Sequence, residues 1–175
     1  MGLFSFEGRS PSVAPSAFVA PTATLVGEVV VEDGASIWYN AVLRADWAPI
    51  YVRAGANVQD GSVLHAPPGQ PCEIGAGATV AHLCLVHGAT IGEGAMVANG
   101  ATVLDGARVG AHALVAANSL VPAGMEIPDG VLAAGSPVEV KRPIAGTPAG
   151  ALVDGVPPAY VELAARHRDG VEELP

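Results

Sequence analysis

Residues 91–121 read IGEGAM VANGAT VLDGAR VGAHAL VAANSL V, five hexapeptides that place Ile91, Val97, Val103, Val109, Val115 and Val121 on every sixth position. The beat runs back through Val86, Val80, Ile74, Leu64, Val58, Val52, Leu43, Ile37, Val31, Leu25 and Val19 to Val13, and forward to Ile127 and Ala133. Four residues after most slots the chain is small, as at Ala23, Ala41, Ser62, Ala78, Cys84, Ala101 and Ser119. A period of six fits neither a helix of about 3.6 residues per turn nor hairpins with turns every eight to twelve residues or so. It predicts an all-β solenoid, a parallel β-helix in which each hexapeptide supplies one wall of a triangular coil. Residues about eighteen apart in register then stack at roughly the 4.8 Å inter-strand spacing.

Composition agrees. The 175 residues suit one domain, half of them are hydrophobic, and only 5% are aromatic, so the core is built from small and β-branched side chains. Mean hydropathy is +0.42, yet charged residues, His or Gly break every apolar run well short of a membrane span. The N-terminal MGLFSFEGRS has no basic segment leading into an apolar one, and Phe6 breaks a myristoylation pattern. Cys72 and Cys84 form neither a C-x-x-C nor a disulfide framework, and Cys84 falls in the small inward slot. A net charge of −9 with no basic cluster argues against nucleic acid and anionic membranes. The expectation is a cytoplasmic protein.

Three irregularities interrupt the coils. The step from Leu43 to Val52 is nine residues, a bulge around Trp47-Ala48-Pro49. The step from Leu64 to Ile74 is ten, a loop over residues 66–72 that should protrude from a corner, and the step from Val86 to Ile91 is only five. Insertions in solenoids map to functional faces. The β-helix domain, with a short N-terminal cap, is expected over residues 1–140, and a connector with a C-terminal helix over 141–175. Tyr160, Leu163, Ala164 and His167 share one face of a helix expected from Ala159 to Asp169, with Pro157 and Pro158 at its start.

His65 follows Leu64 and His87 follows Val86, and these two slots are one coil apart, because their 22-residue separation is eighteen plus the four extra residues of the loop. The two imidazoles should stack on one wall, with Arg44 one rung earlier in the same column. His82 takes the third position of the Val80 hexapeptide, in a column with Tyr39, Asp60 and Asn99. It cannot converge on the other pair within one narrow coil, but a neighbouring subunit can bring its His82 against them. Threefold packing of such prisms gives three equal sites, and three His with an open position is the arrangement of a hydrolytic zinc site. His112 and His167 have no partners in their columns and read as surface or interface residues.

Arg44-Ala45-Asp46, Asn57-Val58-Gln59-Asp60-Gly61-Ser62-Val63-Leu64-His65, and His82 with His87-Gly88 closely resemble the γ-class carbonic anhydrases, over about Phe18 to Pro137. The resemblance implies a left-handed β-helix, a homotrimer and a Zn²⁺ site (Fe²⁺ or Co²⁺ as alternatives) held by His65 and His87 of one subunit and His82 of the next. It implies reversible hydration of CO₂ to bicarbonate by a metal-bound hydroxide, with Gln59 orienting that hydroxide. Arg44, Asp46 and Asp60 correspond to an interface ion-pair set, and Tyr160 to a C-terminal-helix aromatic that borders the pocket or packs. The founding subclass carries an acidic loop with a glutamate shuttle; here the 66–72 loop has no acid and no histidine. A metal-dependent acyl-CoA thioesterase or ester hydrolase on the same site is therefore the first alternative, and a hexapeptide acyltransferase the second.

Overall fold

A computed structural model describes residues 1–174; Pro175, the end of the expected C-terminal segment, lies outside them. The chain is a left-handed parallel β-helix with a C-terminal helix. Of the twenty slot residues, all but Val13 are buried, and those from Leu25 to Val121 are at most 2% exposed. Val13 lies in the second strand of the chain, near the open end. Each buried Val, Leu or Ile stabilises by about 1.5–3 kcal/mol, and the small slot four residues later lets the chain turn the corner without leaving a void.

The first wall stacks Phe18–Val19, Ser36–Ile37, Asn57–Val58, Thr79–Val80, Met96–Val97, Leu114–Val115 and Val131–Gly135. The second carries Val63–His65, Leu85–His87, Thr102–Val103 and Leu120–Val121, and the third Cys72–Ile74, Thr90–Ile91, Arg108–Val109 and Glu126–Ile127. Two long strands, Thr24–Val31 and Val42–Val52, run through the corner and join the second wall to the third. The expected bulge is the register shift between them, where Ala45 pairs with Gly27 and Ile50 with Val29, so the extra residues around Trp47 stand out from the wall. Gly2–Phe4 adds a parallel rung at the N-terminal end, pairing Leu3 with Leu25.

The far end departs from expectation in two places. The start of the expected connector is paired rather than loose: Val138–Pro143, which crosses the boundary at residue 140, returns antiparallel to Val131–Gly135. The helix, α1, spans Pro148–Gly170, about three turns more than the sequence pattern gave, and contains Pro157 and Pro158 rather than starting at them. Thr147 supplies the reason. Its hydroxyl accepts from the Gly150 N–H at 3.3 Å and Pro148 occupies the first turn, where its missing N–H costs nothing. Val153 and Ala164 are buried against the solenoid, so packing overrides the interior prolines.

α1 lies on the first wall, as its Tyr160–Leu163–Ala164–His167 face requires. His167 has the partner that column counting denied it: Tyr39 Oη lies 3.0 Å from its Nδ1, and its ring packs on Phe18 and Trp38. No helix among the described residues is long and apolar enough to cross a membrane.

Candidate functional site

The second wall aligns its outward residues as the register demands. Arg44 pairs with His65, and His65 with His87, one rung apart. Leu64 and Val86 point inward and are fully buried, which forces the histidines that follow them to face out. The imidazole centroids are 4.8 Å apart, and His65 Nδ1 faces His87 Nε2 at 2.8 Å.

The outer nitrogen of each ring is tied to a carboxylate. His65 Nε2–H donates to Asp46 Oδ1 at 2.9 Å, and His87 Nδ1–H donates to Asp105 Oδ1. Neutral rings that donate in this way would carry lone pairs on both facing nitrogens. Two lone pairs at that distance repel unless a proton or a cation stands between them. Asp46 also takes the Arg44 guanidinium. Burial would raise the Asp46 pKa, but the hydrogen bonds from His65 and Arg44 outweigh it and hold the carboxyl below its ordinary value.

His82 is elsewhere. It sits in the two-residue turn between Thr79–Val80 and Leu85–His87, at a corner rather than on a wall face. Its expected column is present as a backbone ladder: Gly61 N–H donates to Tyr39 O, Leu83 N–H to Asp60 O, and Gly100 N–H to His82 O. Asp60 Oδ2 lies 3.0 Å from His82 Nδ1, leaving Nε2 free toward solvent. Leu83, next in the chain, is 72% exposed and takes a left-handed φ of 59°. Among the described residues no three His, Cys, Asp or Glu of one chain converge to hold a metal ion.

Gln59 is buried on the first wall beside that corner, its Nε2 donating to Asn57 Oδ1 at 2.9 Å, and Asn57 in turn donating to Thr79 Oγ1. Tyr160 stacks edge-on against Trp38, ring centroids 5.1 Å apart. Burial, and then the nearby Asp60 charge, push its phenol pKa up. Within one chain, then, the predicted residues form two groups: Arg44, Asp46, His65 and His87 on the second wall, and Gln59, Asp60, His82 and Tyr160 around the corner of the first.

A pocket of about 160 Å³ adjoins the first group, lined by Phe6, Glu7, Arg9, Asp46 and Trp47. Arg9 anchors the N-terminal segment there by donating to Asp46 O at 2.8 Å. Asp105 is the site residue that column counting misses. It stands at a corner, one position beyond the residue that stacks under His87, so only the shortened step at His87-Gly88 hints at it.

A metal fits the second-wall group. Metal-bound histidines almost always donate their other N–H to a carboxylate or carbonyl, which fixes the tautomer; His65 and His87 have Asp46 and Asp105 in that position, and His82, at the other corner, has Asp60.

No family model matches the chain. Two solved structures are similar along nearly its whole length. A hexapeptide transferase family protein from Anaplasma phagocytophilum is 34% identical, with a TM-score of 0.90, over 97% of this chain and 98% of that one. A candidate acetyltransferase from Bacillus cereus is 33% identical, with a TM-score of 0.93, over 95% and 96%. Among curated proteins, a carbonic anhydrase of Geobacillus kaustophilus is 39% identical over 89 residues, 51% of this chain and 49% of that protein. The carnitine operon protein CaiE of Escherichia coli O157:H7 is 40% identical over 92 residues, 53% and 47%. The match thus spans about half the length of these curated relatives. Fold and relatives together define the class: the chain belongs to the hexapeptide-repeat family of transferases and carbonic anhydrase-like proteins.

Proposed function

We propose that the protein is a metal-dependent hydratase of CO₂, its site completed between copies of the chain in a trimer. The observation that carries this reading is the facing pair of ring nitrogens 2.8 Å apart, each ring braced from behind by a carboxylate. His65 Nδ1 and His87 Nε2 of one copy, with His82 Nε2 of a second, would hold Zn²⁺, or Fe²⁺ or Co²⁺ in its place. Such an ion, with one position open, lowers the pKa of water to about 7 and so supplies a nucleophile at neutral pH. The chain's own groups do the rest: Asp46, Asp105 and Asp60 fix three ring orientations, Arg44 holds Asp46, and the Gln59 amide, pinned by Asn57, orients the nucleophile. The exposed, strained Leu83 beside His82 supports a neighbour at that corner, because an apolar side chain in a left-handed turn gains nothing from solvent.

A second reading is hydrolysis of an ester or thioester by the same nucleophile. The pocket against Asp46 favours it, since about 160 Å³ is far more than CO₂ needs and matches a cavity that accepts benzene. Acyl transfer draws on the names of the two similar structures, but it calls for one general-base histidine rather than two facing lone pairs.

The test is metal content and stopped-flow CO₂ hydration on anaerobically purified protein, beside acyl-CoA and ester hydrolysis and acetyl transfer. CO₂ hydration should vanish on chelation and return with metal. Metal-free protein that stays fully active would overturn the reading, and hydrolysis without hydration would replace it by the second.

A further inference from the structure

The short step between Val86 and Ile91 gives a corner at Gly88, where φ is +54°. A Cβ there would stand 3.0 Å from Asp105 Oδ1 and 2.8 Å from Pro67 Cδ. The missing side chain thus clears a path for the Asp105 carboxylate to reach His87. Backbone bonds hold both in place: Gly106 N–H donates to Gly88 O at 2.7 Å, and Gly124 N–H donates to Asp105 O at 2.8 Å.

We propose that Asp105 is a positioning residue that holds the His87 proton on Nδ1 and so leaves the Nε2 that faces His65 available to a cation, with Gly88 as the clearance that admits it. The need for it follows from the pair's geometry. Free of a partner, a neutral imidazole carries its proton on either nitrogen. If His87 carried it on Nε2, that N–H would face His65 Nδ1 at 2.8 Å and donate to it. The two rings would then satisfy each other and shut a cation out. Asp105 blocks this by accepting from Nδ1–H, as Asp46 does from the far side of His65. The functional meaning rests on the metal reading above, but the proton's position is a property of the chain alone.

The experiment compares wild type, Asp105→Ala and Asp105→Ser, the last too short to reach the ring, with ¹⁵N-labelled histidine. In metal-free protein, long-range ¹⁵N–¹H correlations should show His87 as the Nδ1–H tautomer in wild type. They should show a shift to Nε2–H in both variants, with far-UV circular dichroism and melting retained. Co²⁺ titration should show about 10–100-fold weaker binding by the variants. A folded Asp105 variant whose His87 keeps its proton on Nδ1 overturns the proposal. Wild type that binds no Co²⁺, with the tautomer still moving in the variants, leaves Asp105 its role and sinks the metal reading instead.

Discussion

Mixing two inactive variants separates a site shared between copies from a site within one chain. One variant carries His82→Ala, the other His65→Ala with His87→Ala. Neither change touches the core, since Leu64 and Val86 fill the inward slots beside the outward histidines and His82 lies in a turn. Each homotrimer alone has three broken sites. In a ring assembled from an equal mixture, an intact site needs a His82→Ala subunit to present His65 and His87 to a double-variant subunit that presents His82. Every mixed trimer has one such interface, whatever its composition. Three-quarters of random trimers are mixed, so about one quarter of all sites should be whole. Co-refolded protein, with mixed trimers confirmed by native mass spectrometry, should bind about a quarter of the wild-type Co²⁺ and recover about a quarter of the metal-dependent activity. Mixed trimers that bind none would show that the ligands do not come from two chains, and the register argument for His82 would fall.

Gln59→Ala should lower turnover at unchanged metal content, because the amide orients rather than ligates; equal losses of both would make Gln59 a structural residue. Leu83→Asn removes a left-handed leucine, a strain of roughly 1–2 kcal/mol, and should leave the melting of dilute subunits level or higher while analytical ultracentrifugation shows weaker assembly. Leu64→Ala opens a cavity in a fully buried slot and should cost about 2–5 kcal/mol in denaturant unfolding, whereas His65→Ala, one residue on and facing out, should cost far less. Burial pushes the thiols of Cys72 and Cys84 up to about 12 and about 11, so neither should react with a disulfide reagent at pH 8 until the chain unfolds. The stability they contribute is complete below the ordinary thiol value of about 8.5 and fades as pH rises toward those folded values.

The parts legible in the sequence are those that repetition dictates. A slot that must be aliphatic in every hexapeptide leaves its register in the chain, so the stacking of Arg44, His65 and His87 follows from counting, even across the long loop at residues 66–71. Contacts that leave the periodic lattice are silent. Tyr39 and His167 meet across 128 residues because a helix folds back on the first wall, and no spacing rule links them. The start of α1 was hidden by Pro157-Pro158, whose local signal outweighs a single Thr147-Pro148 cap until the burial of Val153 is known. Asp105 falls between these cases. It belongs to the hexapeptide VLDGAR, where an Asp before Gly is unremarkable turn chemistry, and the slot register, with Val86 paired to Val103, sets Leu104 rather than Asp105 beneath His87. The shortened corner at Gly88 brings the carboxylate to the ring. The three breaks in the repeat thus have different consequences: the bulge carries Asp46 and Trp47, the long loop offsets the count between the histidines, and the deletion admits Asp105. In a fold whose walls are fixed by periodicity, the site is written mostly in the departures from it.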